Sequence, residues 1–474
     1  KGHTISGLTV NNTALTAAGL FSYIKDAVIS NISLSNASIT AGNGSYAGGL
    51  AGENDGGTIT DVYASGTVTS SGMAGGLVGL NTGSIADSYS TGTVSISGDG
   101  SVAGGVAGSN TGTISGSYNA GTVSGSGTDE QVGGVTGINT GSITGSYNAA
   151  GGVVSVSSDG SMAGGVAGSN TGTISSSYNA GTVSGSGPDD QVGGVSGTNT
   201  NTGSITNSYN LGTVTGSGIN ERVGGVAGAN AGSIASSYNA GTITGSGTNE
   251  WVGGLAGVNT GSILCSYGAA AAVVSSTADS NIIGGVAGEN DGSIIGSFNN
   301  GAVTTATGAS NNRAGGVVGL NTTTGSLYKS YNTGTVSAGG DNSSVGGLVG
   351  ENAGRIESAT SSGAVTTNGT ASPTGGLVGV NSSTGTVTTS FSVGNVSGKD
   401  RVGGLVGDNA GNITNSYFAV GTATGSGSAS KTGGLAGGSS GTITTSFSNG
   451  GVTGDGLVGG LVGERTGGTI TDAV

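Results

Sequence analysis

Gly75-Gly76-Leu77-Val78-Gly79-Leu80-Asn81-Thr82-Gly83-Ser84-Ile85-Ala86-Asp87-Ser88-Tyr89-Ser90-Thr91-Gly92-Thr93-Val94-Ser95 is the stretch that decides the fold. Its opening, a Gly-Gly pair followed by Leu or Val, returns at fifteen equivalent places, with second glycines running from Gly49 to Gly460 at a mean step of about 29 residues. A degenerate sixteenth copy stands at Ala18-Gly19-Leu20-Phe21. Residues 100–135 and 160–195 differ at only four of 36 positions, Val102/Met162, Gly116/Ser176, Thr128/Pro188 and Glu130/Asp190, the mark of a duplicated two-repeat block. A fixed period in this range signals a repeat architecture rather than a set of independent globules.

Within a repeat the local signals are strand and turn. Thr93-Val94-Ser95 alternates with period two. No apolar stripe recurs at helical spacing, and glycine at this density would cost a helix ~1 kcal/mol per occurrence. The pattern predicts an all-β chain, a parallel β-solenoid (β-helix) of about 16 coils with ~29 residues per coil and roughly three short strands per coil. It predicts a single solenoid over 1–474, with degenerate N-terminal coil or coils at 1–48 and regular coils at 49–474. At ~4.8 Å per coil such an object would be a rod ~75 Å long. Each coil buries few large side chains, so its stability must come from its neighbours. The columns headed by Leu77, Ile85 and Val94 are aliphatic in nearly every repeat and are assigned to the core. The Ser88 column holds small residues and is read as an inward corner, and the Asp87 column before it is read as solvated.

Composition supports this and closes off other classes. The chain has 474 residues with 108 Gly and 2 Pro, 7% charged residues and a net charge of −14. Its mean hydropathy of +0.08 is not that of a disordered polyelectrolyte, and proline is too scarce for collagen. No apolar run approaches the ~20 residues of a membrane-spanning helix, so no membrane insertion is expected. The first 221 residues carry 2 basic and 12 acidic side chains and the remainder 8 and 12, with no basic cluster to neutralise phosphates, so no nucleic acid is expected. A single cysteine, Cys265, excludes an intrachain disulfide. Lys1 opens the chain without a charged-then-apolar leader, which is read as a leader removed or a piece excised.

The repeat resembles the GLUG motif repeats of bacterial surface and adhesin-like proteins. The resemblance lies in Gly76-Leu77-Val78-Gly79-Leu80-Asn81 and Gly347-Leu348-Val349-Gly350-Glu351-Asn352, and in the lead-in Gly2-His3-Thr4-Ile5-Ser6-Gly7-Leu8-Thr9-Val10. It implies an exported bacterial protein, extracellular or at the cell surface: an adhesin, a haemagglutinin-like filament, or the non-catalytic part of a secreted peptidase. It implies no catalytic residues.

Four columns are candidates for function. The first holds asparagine at thirteen of fifteen repeats: Asn54, Asn81, Asn110, Asn139, Asn170, Asn199, Asn230, Asn259, Asn290, Asn321, Asn352, Asn381 and Asn409. Stacked amides bond along a ladder and tolerate tight turns, so this column is read as structural. The second is aromatic and holds thirteen of the nineteen aromatic residues: Tyr63, Tyr89, Tyr118, Tyr147, Tyr178, Tyr209, Tyr238, Tyr267, Phe298, Tyr331, Phe391, Tyr417 and Phe447, with Thr360 the exception. Stacked rings hold register. The sharper reading is an exposed strip that grips sugars or a partner.

Rows of Ser and Thr around Val94, such as Thr67, Thr93 and Thr122, are similar to the flat arrays of ice-binding solenoids, but Val153, Ala302, Ala364 and Asn395 interrupt them and strand propensity explains them as well. The fourth column is acidic: Asp99, Asp129, Asp159, Asp189, Glu221, Glu250 and Asp279 precede seven successive Gly-Gly pairs. A charged rim that deters lateral aggregation is one reading. Calcium held by Asp129, Glu130, Asp189 and Asp190 is the other.

Material for catalysis is thin. His3 is the only histidine and lies far along the chain from Cys265, so no Ser-His-Asp or Cys-His set can form and no zinc site either. Asp61 and Asp87 share a column in adjacent coils, ~5 Å apart if stacked, close to the carboxyl pair of a retaining glycosidase. The expectation is therefore a non-catalytic extracellular structural or adhesive repeat protein without an obligate cofactor. Its partners would be further copies of itself, end to end or through a continuing array after Thr469-Ile470-Thr471-Asp472-Ala473-Val474, or surface glycans and host matrix. The alternatives are a carbohydrate- or ice-binding solenoid and, third, a polysaccharide-cleaving β-helix enzyme.

Overall fold

The computed structural model describes residues 3–11 and 13–474, so Lys1 and Gly2 of the lead-in lie outside the described residues. Among the described residues every regular element is a strand, and the strands pair in parallel with like columns in register apart from local shifts at Ala64/Gly66 and Ala419/Thr422. The chain divides into two compact units, Lys1–Gly241 and Thr242–Val474. Each is a parallel β-solenoid of eight coils, about 16 in the whole chain.

The short faces of a coil resolve into four sheets, seen in the coil Met73–Gly75, Val78–Asn81, Ser84–Ala86 and then Tyr89–Ser90 with Thr93–Ile96. The Gly-Gly corner between the first two has a steric cause. A Cβ on Gly75 would collide with the Val78 carbonyl oxygen of its own coil, and one on Gly76 with the Gly105 carbonyl oxygen of the next. The corner after Ser84–Ala86 turns through a left-handed residue, Asp61 (φ 55°) or Asp87 (φ 48°), a conformation that Asp, Asn and Gly adopt more readily than bulkier residues.

In unit 1 the lead-in strands His3–Ser6 and Thr9–Asn11 pair with the long strand Ile32–Ala41. The degenerate repeat forms the same faces as its successors: Ala17–Ala18, Phe21–Lys25, Val28–Ser30 and Ile32–Ala41. Leu77, Ile85 and Val94 are buried with their column equivalents, for example Val135, Ile143 and Val154 in unit 1 and Leu348, Ile356 and Val365 in unit 2. Core side chains therefore stack on copies of themselves, each coil covering the next. The last coil of unit 2 is more open, with Leu457 and Val458 about half exposed.

Candidate functional site

The fourth sheet carries the aromatic column outward. Ser88 is buried while Tyr89 next to it is half-buried, as strand alternation requires. In unit 1 Tyr89, Tyr118, Tyr147, Tyr178, Tyr209 and Tyr238 stack with ring centroids 4.6–5.0 Å apart and planes within 1–9° of each other. Tyr63 begins the stack tilted at 39°, its hydroxyl 3.0 Å from the Thr91 hydroxyl. Burial and then the neighbouring tyrosines push the Tyr118 and Tyr178 hydroxyls above the usual phenol range. In unit 2 the column is two short stacks, Tyr267–Phe298–Tyr331 and Phe391–Tyr417–Phe447, interrupted at Thr360. Each interior ring has its faces covered by its neighbours and presents only an edge to solvent. A sugar needs a ring face to stack against, so the interior of the strip offers sugars ring edges alone.

The asparagine column is buried at the turn between the second and third sheets. In unit 1 each Nδ2 donates to the Oδ1 of the next coil's asparagine, from Asn54 to Asn230, at 2.7–2.8 Å at most rungs and 2.9 Å at Asn110. Unit 2 repeats the pattern from Asn259 to Asn409 at 2.8–2.9 Å. Ser439, one of the two departures, takes the last donor at 3.2 Å. The same Nδ2 groups close their own turns, Asn54 onto the Gly57 carbonyl at 3.0 Å. Asn54 Oδ1 has no donor, because Ile24 fills the rung before it.

Two further ladders escaped the sequence reading. Asn119, Asn148, Asn179, Asn210 and Asn239 are buried one residue after the tyrosines and bond in series at 2.8–2.9 Å; Asn299 and Asn332 do so in unit 2 at 3.1 Å. The recurrent Tyr-Asn dipeptide was the available signal. Each of these amides also takes its own turn's backbone, Asn119 Oδ1 accepting from Gly121 N–H at 3.1 Å, which breaks the strand there. Where Leu34, Ala64 or Phe418 holds the position, the strand runs through. The Ser88 column is more than small. Its hydroxyls accept the backbone N–H of the preceding coil, Ser88 N–H to Ser117 Oγ at 3.2 Å, and donate to their own coil, Ser88 Oγ to the Ala86 carbonyl at 2.7 Å.

The acidic column is two columns, and this corrects the reading of all seven acids as one solvated rim. Asp99, Asp129, Asp159, Asp189 and Asp279 are exposed, whereas Glu130, Asp190, Glu221 and Glu250 are fully buried. Asp129 and Asp189 sit left-handed at the loop tip (φ 55° and 58°), and the next residue turns inward. Asp129 and Glu130 therefore point to opposite sides, as do Asp189 and Asp190, so neither pair converges on one cation. Among the described residues no group of three or more His, Cys, Asp or Glu side chains is placed to hold a metal ion.

At Ser161 and Asp190 the inward position receives a backbone N–H from the preceding coil. Ser161 N–H donates to Asp190 Oδ1 at 2.9 Å, and Gly187 N–H to Asp190 Oδ2 at 2.9 Å. Glu130 N–H donates to Ser161 Oγ at 3.2 Å, while the Glu130 carboxyl has no hydrogen bond of good geometry. Burial pushes the Glu130 carboxyl up to about 7; the Gly127 N–H opposes the rise and the Asp99 charge adds to it. Burial pushes Asp190 up to about 7 as well, against the N–H groups of Ser161, Gly187 and Ser186 and with help from Glu221.

The remaining candidates stay apart or exposed. Asp61 and Asp87 are both solvated at the left-handed corner of unit 1, lining a shallow open cleft with Tyr63 and Tyr89. His3 is exposed in unit 1 and Cys265 in unit 2. The threonine row is exposed at Thr67, Thr93, Thr182 and Thr213 but broken by Val153, and hydroxyls of the adjacent row bond along it, Ser95 to Ser124 at 3.2 Å.

The GLUG motif matches residues 43–69, 70–95 and 341–366, so GLUG repeats occur in both units. Among curated proteins, halomucin of Haloquadratum walsbyi is 40% identical over 79 residues, a stretch that is 16% of this chain and 1% of halomucin. No solved structure matches the chain.

Proposed function

We propose that the chain is a non-catalytic structural and adhesive repeat module of an extracellular or cell-surface protein. The carrying observation is where its chemistry goes. Inward amides and hydroxyls bond coil to coil, and the outward fourth sheet presents the same aromatic edge and hydroxyl rows at most coils. A repeated edge of that kind suits many weak contacts to a repetitive partner such as a glycan coat or matrix fibre, where affinity grows by multivalency. The GLUG repeats and the local likeness to a protein named as a mucin favour a surface setting. Covered ring faces argue against a conventional sugar-stacking groove, and the broken threonine row argues against an ice-binding plane.

The test is attachment of beads carrying the whole chain to glycan- and matrix-coated surfaces under flow. Replacing Tyr118, Tyr147 and Tyr178 together by Ser is expected to reduce attachment several-fold while the β-type circular dichroism persists. Attachment that ignores the substitution, or sugar released from any polysaccharide offered, would remove this reading.

A further inference from the structure

The aromatic column of unit 2 has one interior rung without a ring. Tyr331 is in register with Thr360, and Thr360 with Phe391. Two strand spacings set the flanking rings ~9.6 Å apart. Filled rungs of this unit place ring centroids 4.5–4.9 Å apart. The gap is therefore the thickness of one missing ring. Tyr331 is 39% exposed, close to the 43% of Phe447, whose ring closes the second stack. It behaves as the end of a stack although its column continues.

From this geometry we infer that the Tyr331–Thr360–Phe391 rung is a binding slot for one aromatic ring. The ring enters edge-on over the Thr360 side chain and stacks between Tyr331 and Phe391. Thr360 reaches only to its γ atoms, so this rung supplies no ring of its own between Tyr331 and Phe391. The tyrosines of this column carry their hydroxyls at the same outer edge, so the slot takes an aryl ring with or without a phenol hydroxyl. A pyranose, with its girdle of hydroxyls, has no aromatic face to offer either wall. Lys329, the nearest cation in sequence, places its ammonium 5.0 Å from the Tyr328 ring centroid on the neighbouring sheet. The slot therefore does not select for an acid. The ring can be carried by a small aromatic molecule or by an aryl side chain of a partner polypeptide. The inference needs the outward aromatic column but not adhesion by the rest of the strip, so the attachment assay and the following test can fail separately.

The experiment is saturation-transfer NMR on the whole chain with three probes: indole, N-acetyl-tryptophanamide and methyl β-glucoside. Indole is expected to bind saturably with an affinity on the order of 1 mM, as fits a contact of so few atoms. Thr360→Tyr supplies the missing ring and is expected to weaken binding at least tenfold while leaving the fold intact. Thr206→Tyr adds the same ring to another sheet of unit 1 and is expected to leave binding unchanged. Indole and the tryptophan amide binding alike would show that the slot reads the ring alone, and binding of the amide alone would assign it to a partner's side chain. Indole and amide both failing to saturate, signals indifferent to Thr360→Tyr, or preferential Thr360-dependent binding of the glucoside would each overturn the inference.

Discussion

The loop corner four residues before the second glycine of each pair is built from the same backbone in both units and filled with different chemistry. In unit 1 it holds Ser45, Gly72 and Ser101 and then, in the last four coils, Glu130, Ser161, Asp190 and Glu221, three of them buried acids. In unit 2 it begins with Glu250 and continues with Asn281, Asn312, Ser343 and Ser372, all neutral and all buried. Each neutral side chain accepts the N–H of the coil before it, Asn281 N–H to Asn312 Oδ1 at 2.7 Å and Asn312 N–H to Ser343 Oγ at 3.2 Å. The corner offers the preceding coil's N–H to an acceptor, which Asp190 and these neutral side chains take and the Glu130 carboxyl does not. Asn adds a donor for its own loop, and an acid adds a charge that burial penalises. The pattern of charge outside follows the same split. Unit 1 has three basic and twelve acidic side chains and unit 2 seven and twelve, and most of the ion pairs belong to unit 2.

Moving the acid into the neutral run should give the largest effect. Asn312 accepts at Oδ1 and donates from Nδ2 to the Ala309 carbonyl at 2.8 Å. Asn312→Asp would turn a carboxylate oxygen onto that carbonyl. The expected loss is about 3 kcal/mol at pH 8, and less at pH 5, where a protonated carboxyl can donate again. Urea unfolding at the two pH values measures it, and equal stability at both would show that the corner does not discriminate charge.

Removing an acid from unit 1 should give a smaller effect of opposite sign. The Glu130 carboxyl is raised from 4.5 to about 7, so the folded state holds its proton more tightly than the unfolded chain. Its stabilising contribution is fully present below about 4.5 and is lost as pH rises through about 7. The wild-type chain should therefore unfold more easily at pH 8 than at pH 5. Glu130→Gln should flatten that slope and gain roughly 1–3 kcal/mol at pH 8. Asp190→Asn should gain less, because both Asp190 oxygens accept backbone N–H groups and an amide supplies only one acceptor. A Glu130→Gln variant with an unchanged slope would place the titration elsewhere.

These corners also mark where reading the sequence stopped working. The solenoid and its columns were legible, because parallel in-register stacking makes a column in the text a row in space. Leu77, Ile85, Val94, Asn81 and Tyr89 each recur often enough to be placed. The loop was harder to read. Asp129 and Glu130 are adjacent acids with no alternating strand around them, and only the left-handed φ of Asp129 sends one out and the other in. The inner Asn119 ladder was hidden for another reason: a residue beside an aromatic in a Gly-rich turn reads as turn chemistry, and its burial depends on where the strand breaks. The Thr360 gap stood in the text as an exception, but its meaning rests on the ring spacing on either side.

The smallest effect concerns an acid that unit 2 handles at the same corner by exposure. Asp400 occupies the position with its side chain 23% exposed, and Arg401 Nη1 lies 4.0 Å from it and 3.3 Å from Asp408. Here the charge keeps part of its hydration and gains a cation, so neither the burial penalty of Glu130 nor the amide of Asn312 is needed. Pairs this open contribute little, because solvent and salt screen them. Arg401→Gln should cost ~0.2–1 kcal/mol at low salt and nothing measurable at ~1 M salt, where the Debye length falls to about 3 Å. The comparison with Glu130→Gln is the informative part. Salt should erase the Arg401 effect and leave the buried Glu130 effect largely in place, since mobile ions do not reach a carboxyl enclosed between coils. If added salt reduced both effects alike, the inward acids of unit 1 would be in contact with solvent, and the distinction between the two ways of placing an acid at this corner would fail.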